Sequence, residues 1–184
     1  MTGGRLVVAP PGPLSLRELA AVVQEGGVTD LWLTAGLFHQ MMEEGPERLR
    51  GVRRLMAGGD VLSPGHCRRA LAALPGTVLI NGYGPTENTT FTSTHTMLSP
   101  EDVGPSVSIG RPIPWTSVLV VDHNLRPVPI GVAGELYVGG IGLAHGYLNQ
   151  PELTAEKFIP HPFTTHPQAR LYRTGDMARY LPDG

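Results

Sequence analysis

Short apolar runs alternate with helical patterns along the first half of the chain. The runs are typical of buried strands, and they lie at 6–9, 29–33, 52–57 and 78–80. Between them, apolar residues three and four positions apart predict helices over 13–25, over 37–44 and from Ser63 onward. Ser15 and Glu18 have the spacing of a capping box in the first helix. Strands that alternate with helices predict a layered βαβ subdomain with a largely parallel sheet.

The pattern changes after about residue 99, where short strands replace the strand–helix alternation. Strands are predicted at 116–122 and 134–139, with a polar His123-Asn124 tip between them and a helical turn at 154–158. Glycine and proline separate these elements, which indicates a β-rich, distorted barrel-like subdomain. The predicted fold class is therefore α/β, with an α/β subdomain over 1–98 and a β-rich subdomain over 99–184.

Composition excludes several functional classes. The 184 residues are 41% hydrophobic and carry a formal net charge of -2, so neither nucleic acid nor an anionic membrane is an expected partner. Cys67 is the single cysteine, which excludes a disulfide framework and fits a cytoplasmic location. No apolar run approaches the roughly 18 residues of a membrane span. The seven histidines lack the spacing of a helical metal pair, so a histidine metal site is not expected.

The stretch from Thr77 to Glu87 begins as a buried strand and then opens into glycine, proline and polar residues. In open α/β sheets, ligands bind at the carboxyl ends of strands. The Asn81 amide has donors and an acceptor for the edge of a purine, and Tyr83 has a flat face for stacking. Gly82 and Gly84 lack a Cβ atom, so a ligand is expected to lie against their backbone.

The end of the same loop has residues suited to phosphate and metal. Thr86 can donate a hydrogen bond to a phosphate oxygen, and Glu87 supplies hard oxygen ligands for Mg²⁺. The alternative interpretation is a Gly-Pro turn that Thr86 caps, with Glu87 in solvent. Taken alone, the loop favours this plain turn.

Two later segments are ambiguous when each is taken alone. The glycines at 139–146 follow a strand, but their spacing is one residue too long for a dinucleotide fingerprint, and a structural turn is the favoured interpretation. Asp176 is predicted in a turn after a short strand. Its carboxylate could accept both hydroxyl groups of a ribose, although Gly-Asp is also an ordinary turn pair.

In combination, the segments resemble a known family. They are Asn81-Gly-Tyr-Gly-Pro-Thr-Glu87, Gly134-Glu-Leu-Tyr-Val-Gly-Gly, Gly146-Tyr, Pro151-Glu-Leu-Thr-Ala-Glu-Lys-Phe158 and Leu171-Tyr-Arg-Thr-Gly-Asp-Met-Ala-Arg179. In this order they resemble core motifs of the adenylation domains of nonribosomal peptide synthetases, in the adenylate-forming superfamily. The resemblance covers essentially the whole chain. It implies a partial adenylate-forming fold, from the middle of the large N-terminal domain to just before its hinge.

The resemblance implies an enzyme that activates an amino acid with ATP and Mg²⁺, giving an aminoacyl adenylate and pyrophosphate. The acyl group would then pass to phosphopantetheine on a peptidyl carrier domain, beside a condensation domain. Carried over by position, Asn81 would contact the adenine amino group, Tyr83 would stack on the ring, and Asp176 would bind the ribose hydroxyls. The catalytic residues would be Thr86, at the α-phosphate, and Glu87, which would hold Mg²⁺. The turn Gly58-Gly59-Asp60 would approach the nucleotide.

The resemblance also implies a pocket for the amino-acid side chain. Its lining would be Trp32, Met56, Gly58, Gly82, Thr90 and Phe91. This combination resembles the family's pattern for valine, with Met where Ile is usual, so a valine-like substrate is expected. Isoleucine stays open, because one methylene supplies only about 1–3 kcal/mol of discrimination. Thr90 and Phe91 are neighbours, so both can line one pocket only where the backbone is irregular or where one of them acts indirectly.

Several parts of the family pattern are not in this sequence. Asp183-Gly184 is a hairpin-turn signal with no returning strand after it, which suggests an internal piece of a longer protein. In the family, the acidic residue for the α-amino group lies before Met1, and a catalytic lysine lies beyond Gly184. The phosphate loop with its lysine is also absent, and Lys157, the only lysine, matches neither lysine role. The parent protein is therefore expected to be the enzyme, and this chain alone is expected to be inactive.

Two alternatives stay open from the sequence. One is an acyl- or aryl-CoA ligase of the same superfamily. The other is a non-catalytic nucleotide-binding remnant that keeps the 81–87 loop for structure.

Overall fold

A computed structural model describes residues 3–182 of the chain. Its helices are α1 (Leu16–Glu25), α2 (Ala35–Glu44), α3 (Pro64–Ala73) and α4 (Pro151–Lys157). Its strands are β1 (Asp30–Thr34), β2 (Arg54–Gly58), β3 (Val78–Tyr83), β4 (Ser93–Met97), β5 (Arg111–Pro112), β6 (Thr116–Val121), β7 (Gly134–Gly140), β8 (Phe158–Pro160) and β9 (Arg170–Ala178). Short 3-10 turns cover Pro46–Leu49, Thr86–Asn88 and Pro100–Asp102.

The strands form two sheets. The first has the order β1-β2-β3-β4-β5, in which β1 and β2 pair in parallel and β4 and β5 pair antiparallel. The second has the order β6-β7-β9-β8, and its neighbouring strands pair antiparallel. The predicted α/β class, with helices on a parallel-rich sheet followed by a β-rich part, is confirmed.

The chain divides into two compact units. The first unit contains the residues up to Asn81 together with His95–Ser108, and the second contains Gly82–Thr94 together with the residues from Ile109 onward. The structure therefore divides the chain differently from the single predicted boundary at residue 98. The chain passes between the units three times, and the 82–94 loop belongs to the β-rich unit.

The first unit is organised by α1, α2 and α3 around a buried apolar cluster that includes Phe38, Met41, Leu55 and Leu79. The capping box predicted at α1 is present, since the Ser15 hydroxyl accepts from the Glu18 N–H and the Ser15 N–H donates to the Glu18 carboxylate. Pro64 lies at the start of α3, where its missing N–H costs no helical hydrogen bond.

The second unit has an apolar cluster on one face of its sheet, with Val120, Leu136, Val138, Phe158 and Tyr172 at its centre. The ring of Tyr83 packs against this cluster from the end of β3. A smaller cluster on the other side of the sheet contains Val121, Tyr137 and Leu171. Successive side chains of β7 thus pack into clusters on opposite faces of the sheet, as the two-residue period of a strand requires.

Three local predictions differ from the structure. Residues 6–9 form no strand, because Leu6 and Val8 are exposed and pair with no neighbouring strand in the described part of the chain. The helical turn at 154–158 is the end of the longer α4, and Phe158 already begins β8. Asp176 lies within the long strand β9 and not in a turn after a short one. The hairpin turn predicted at Asp183-Gly184 lies outside the described residues.

No helix within residues 3–182 is both long enough and apolar enough to cross a membrane.

Candidate functional site

The loop after β3 folds back on the end of its own strand. The Thr92 N–H donates to the Tyr83 carbonyl at 2.7 Å, which closes the loop. Within it, residues Thr86–Asn88 form a 3-10 turn, and Thr89 and Thr90 both have positive φ values of 52° and 68°. The backbone is therefore irregular at Thr90 and Phe91, which is the condition under which both could line one pocket.

Gly82 and Gly84 make room on their Cβ side for the loop itself. A Cβ atom on Gly82 would meet the Phe91 ring at 2.5 Å, and one on Gly84 would meet the Thr90 carbonyl oxygen and the Thr92 nitrogen at 2.6 Å. The expected contact of a ligand with the backbone of these two glycines stays a prediction, but the space on their Cβ side is not available to it. Phe91 and the returning backbone already occupy that space.

A bulge in β9 places Asp176. On β7, Glu135 and Tyr137 are two positions apart, whereas their partners on β9, Met177 and Arg173, are four positions apart. The two extra residues on β9 are accommodated because Gly175 adopts a positive φ of 83°, which a side chain would disfavour. Bulges of this kind turn a side chain away from the regular alternation of a strand.

Thr174 stabilises this bulge through its hydroxyl. Its Oγ1 donates to the Leu136 carbonyl at 2.7 Å and accepts from the Asp176 N–H at 3.0 Å. The hydroxyl thus satisfies two backbone groups where the ladder between the strands is interrupted. The main chain that carries Asp176 is therefore fixed although the side chain is exposed.

Tyr83 and Asp176, which are 93 positions apart in the sequence, are joined by a hydrogen bond from the tyrosine hydroxyl to the carboxylate Oδ2. Burial raises the pKa of Tyr83, and the neighbouring Asp176 carboxylate raises it further. Tyr83 is therefore a neutral phenol at any physiological pH and donates the shared proton. The exposed carboxylate lies beside an aromatic ring that is half-buried.

Glu87 lies at the centre of a second hydrogen-bond network. The Tyr147 hydroxyl donates to Glu87 Oε1 at 2.6 Å, and the hydroxyls of Tyr147 and Tyr172 are 3.2 Å apart. Burial raises the pKa of Glu87, but hydrogen bonds from Tyr147, from its own backbone and from Tyr172 outweigh that effect and hold the pKa below its usual range. Glu87 is therefore a charged carboxylate at neutral pH.

The glycine-rich segment before Tyr147 places this tyrosine close to α4 and to the loop that contains Glu87. A Cβ atom on Gly146 would meet the Thr154 hydroxyl at 2.8 Å, and that hydroxyl accepts from the Tyr147 N–H at 2.9 Å. The Ala144 N–H donates to the Glu87 carbonyl at 2.7 Å. The structural interpretation of these glycines is confirmed, since they let the segment approach α4 and the 82–92 loop closely.

The residues at Glu87 fit Mg²⁺ only together with a ligand that brings oxygen atoms of its own. Among residues 3–182, no cluster of three or more His, Cys, Asp or Glu side chains could hold a metal. Mg²⁺ is usually bound by one or two carboxylates together with water and substrate phosphates. One ionised carboxylate held by a tyrosine meets that requirement.

In the first unit, the Asn81 side chain is buried, and its Nδ2 donates to the Ser108 carbonyl at 2.8 Å. The turn after β2 contains Gly59 with a positive φ of 82° and Asp60, whose carboxylate accepts from the Val61 N–H at 2.7 Å. Gly58 is buried at the end of β2 and pairs with Thr34.

The residues predicted for the side-chain pocket are divided between the two units. In the first unit, Trp32 and Met56 lie directly opposite each other on β1 and β2, and Trp32 is 42% exposed. In the second unit, the Phe91 ring rests on Gly82, and Thr90 is exposed. Each group is brought together within its own unit.

Sequence reasoning assigned no role to Tyr147, Tyr172 or Thr174, although all three lie within the segments that carry the resemblance. The only local signal was a tyrosine after a run of glycines, and Tyr147 contacts a carboxylate 60 positions away in the sequence. A contact of that separation has no periodicity that would reveal it.

Comparison with known proteins gives a consistent result. The family model described as AMP-binding enzyme matches residues 1–148. One of the linear gramicidin synthase proteins of Brevibacillus parabrevis is 55% identical over 184 residues, which is 100% of this chain and 2% of that protein. Tyrocidine synthase 3 of the same organism is 47% identical over 171 residues, which is 93% of this chain and 3% of that protein. The chain therefore spans a small part of these curated relatives.

Two solved structures are similar over nearly the whole chain. PA1221, described as a nonribosomal peptide synthetase (NRPS) protein containing adenylation and PCP domains, is 40% identical with a TM-score of 0.88, over 96% of this chain and 36% of that chain. The N-terminal subdomain of Klebsiella oxytoca NpsA, in complex with 3-hydroxybenzoyl-AMSN, is 34% identical with a TM-score of 0.87, over 95% of this chain and 44% of that chain.

Proposed function

Because the chain belongs to the family of AMP-binding enzymes and has the fold of nonribosomal peptide synthetase adenylation domains, we propose that it forms part of a domain that activates an amino acid with ATP. In this reaction a carboxylate oxygen of the amino acid attacks the α-phosphorus of ATP, and the bond to the pyrophosphate leaving group breaks. The products are aminoacyl adenylate and pyrophosphate. The acyl group then passes to the phosphopantetheine thiol of a peptidyl carrier domain, which works with a condensation domain in the parent protein.

The observation that carries this proposal is that the second unit holds an aromatic ring paired with one carboxylate and, in a second network, an ionised carboxylate. Tyr83 offers a flat face for a base, and the exposed Asp176 beside it accepts hydroxyl donors such as those of a ribose. Glu87 is ionised and held by Tyr147. An aromatic face, an acceptor for a diol and an acidic group for metal-bound phosphate are the recognition elements of a nucleoside triphosphate.

We assign the α-phosphate contact to Thr86, whose exposed side chain lies at the start of the 3-10 turn that contains Glu87. Glu87 would hold Mg²⁺, which when bound neutralises charge on the phosphates during transfer. The chain itself contributes a carboxylate whose orientation is fixed before the substrate binds. Preorganised charge of this kind usually contributes more than any other effect to such catalysis.

We assign the adenine amino group to Asn81. Its Nδ2 is already engaged by the Ser108 carbonyl, which orients the amide so that the Oδ1 atom is the one suited to accept from an amino group. The turn formed by Gly58, Gly59 and Asp60 is assigned to the nucleotide as well. Its positive φ at Gly59 lets the backbone bend directly after β2.

We propose a branched aliphatic substrate close to valine. Trp32 and Met56 form an adjacent apolar pair, and they are joined in the assignment by Gly58, Gly82, Thr90 and Phe91. These side chains carry no charge, so a charged substrate would find no partner among them. Indole, thioether and phenyl groups favour an apolar side chain of limited size.

Amino-acid-dependent ATP–pyrophosphate exchange tests this function in the complete adenylation domain, restored from the flanking coding sequence. We expect exchange with valine, weaker exchange with isoleucine and leucine by about tenfold or more, and none above background with aspartate. Clear preference for an aromatic or charged amino acid would overturn the valine assignment. Transfer of an acyl or aryl acid to free coenzyme A, without amino-acid-dependent exchange, would instead identify an acyl-CoA ligase.

A further inference from the structure

The Tyr83 hydroxyl has a partner that stacking on a base does not explain. A phenylalanine ring would present the same flat apolar face, so the hydroxyl is not required for stacking. In the structure it donates to Asp176, across 93 positions of sequence. We propose that Tyr83 is a positioning residue that holds the Asp176 carboxylate in the orientation that receives the ribose hydroxyls, an inference that rests on the proposed function.

Asp176 needs such a partner because of where it lies. Its main chain is fixed by Thr174 within the bulge of β9, but its side chain projects into solvent. An exposed aspartate samples several side-chain rotamers, and ordering it when a ligand arrives lowers affinity. A hydrogen bond from Tyr83 selects one rotamer before the ligand binds.

Tyr83 is suited to hold the carboxylate because its own ring is held. The ring is half-buried and packs against the cluster that contains Val120, Val138 and Tyr172. The hydroxyl therefore has little freedom to move away from Asp176. Since the phenol stays neutral, it remains a donor over the whole physiological pH range.

The arrangement leaves Asp176 with enough acceptor capacity for the nucleotide. A carboxylate has about four lone-pair sites, and Tyr83 uses one of them on Oδ2. The remaining sites can accept the two ribose hydroxyls. Tyr83 would thus contact the base with its ring and orient the Asp176 carboxylate with its hydroxyl. Recognition of the base and recognition of the ribose would then depend on the same side chain.

The test compares two nucleotides in the complete adenylation domain. Affinities for ATP and for 2′,3′-dideoxy-ATP are measured by isothermal titration calorimetry with the natural domain and with Tyr83→Phe. We expect Tyr83→Phe to weaken ATP about tenfold, the cost of a lost hydrogen bond to a charged group, and to change dideoxy-ATP less than about twofold. In pyrophosphate exchange the same variant should raise the KM for ATP by a larger factor than it lowers kcat.

Two further variants separate the possible outcomes. Asp176→Asn should weaken ATP strongly, and an unchanged ATP affinity there would contradict the ribose assignment in the proposed function. Tyr180→Phe removes a hydroxyl that donates to the Val118 carbonyl in the same unit, and it should leave the ratio of the two affinities unchanged. If Tyr83→Phe weakens both nucleotides equally, or neither, the positioning role is wrong even where Asp176→Asn behaves as expected.

Discussion

The Tyr147 hydroxyl orients the Glu87 carboxylate. It donates to Glu87 Oε1 at 2.6 Å, and the carboxylate keeps further lone pairs with which it can bind a ligand. The phenol is fixed by its ring, which packs edge-on against Phe158 with the ring centroids 5.6 Å apart. Partners of this kind orient metal-binding carboxylates and commonly alter metal affinity by about 10–100-fold.

Replacing Tyr147 by phenylalanine is therefore expected to weaken Mg²⁺ use. In the complete adenylation domain, Tyr147→Phe should raise the Mg²⁺ concentration for half-maximal pyrophosphate exchange about tenfold, because Glu87 is no longer oriented. The measurement is exchange rate against free Mg²⁺ at saturating ATP, with Tyr180→Phe as the control. An unchanged Mg²⁺ dependence would show that Tyr147 has only a packing role.

The glycines of the 82–84 and 139–146 segments show how much single residues allow one to predict from the sequence. Their enrichment in the 82–84 and 139–146 segments was visible in the sequence, and it correctly indicated close approaches of the backbone. Which atoms approach could not be read from it. Phe91 lies on the Cβ side of Gly82, and Thr154 lies on that of Gly146. Both contacts depend on how the chain folds back, which the glycines alone do not indicate.

At the scale of elements, α2 and α3 meet through two histidines. The Nε2 atom of His39 on α2 accepts from the N–H of Ser63, the residue before α3, at 3.0 Å. The rings of His39 and His66 lie 4.6 Å apart, and His66 is 3.2 Å from Glu43. Burial lowers the pKa of His39 and the neighbouring His66 lowers it further, against smaller opposing effects of Glu43 and Asp60.

This contact predicts a pH-dependent stability. Only neutral His39 can accept from Ser63, and its pKa in the folded state lies below the unfolded value of about 6.5. The stabilisation is therefore complete above that value and is lost as the pH falls through the folded pKa. In the complete domain, the loss should lower Tm by about 2–4 °C, as expected for one hydrogen bond.

A non-titrating acceptor provides the check. His39→Gln keeps a carbonyl oxygen for the Ser63 N–H, so its Tm should fall less between pH 8 and pH 5 than that of the natural domain. His145→Gln, at an exposed histidine of the other unit, should retain the full decline. The same pH dependence in His39→Gln and in the natural domain would exclude His39 as the origin.

The elements themselves were largely predictable where their signals are local. The capping box of Ser15 and Glu18 located α1, and Pro64 located α3. Strand β4 was not predicted, and only a short strand was predicted where the long β9 runs. The residues of Ser93–Met97 and Arg170–Ala178 are largely polar and become strands through their partners. The bulge at Gly175 depends on the register with β7, which no pattern within β9 contains.

At the scale of the whole chain, the family and the order of the motifs could be predicted, because several separated segments constrain one another. The division into units could not. The chain leaves the first unit after Asn81 and returns at His95, so the 82–94 loop belongs with the strands that follow residue 109. The contact of Tyr147 with Glu87 and the contact of Tyr83 with Asp176 both form within the second unit, and both depend on this placement of the loop.

The isolated chain should lack exchange activity for a chemical reason. Lys157 is its only lysine, and the Lys157 ammonium lies 3.7 Å from the Glu156 carboxylate at the end of α4. The resemblance implies two other lysines, one in the phosphate loop and one catalytic, and neither has a counterpart among the 184 residues. We therefore expect no amino-acid-dependent pyrophosphate exchange from this chain and clear exchange from the complete domain under the same conditions.

Folding must be separated from activity in this comparison. Far-ultraviolet circular dichroism and amide hydrogen exchange on the isolated chain would show whether the cores around Phe38 and Val138 are formed. A folded chain without exchange supports the requirement for residues outside it, since Tyr83, Glu87 and Asp176 are then present but insufficient. Exchange by the isolated chain with valine would contradict it, because the phosphates would then be stabilised without either of those lysines.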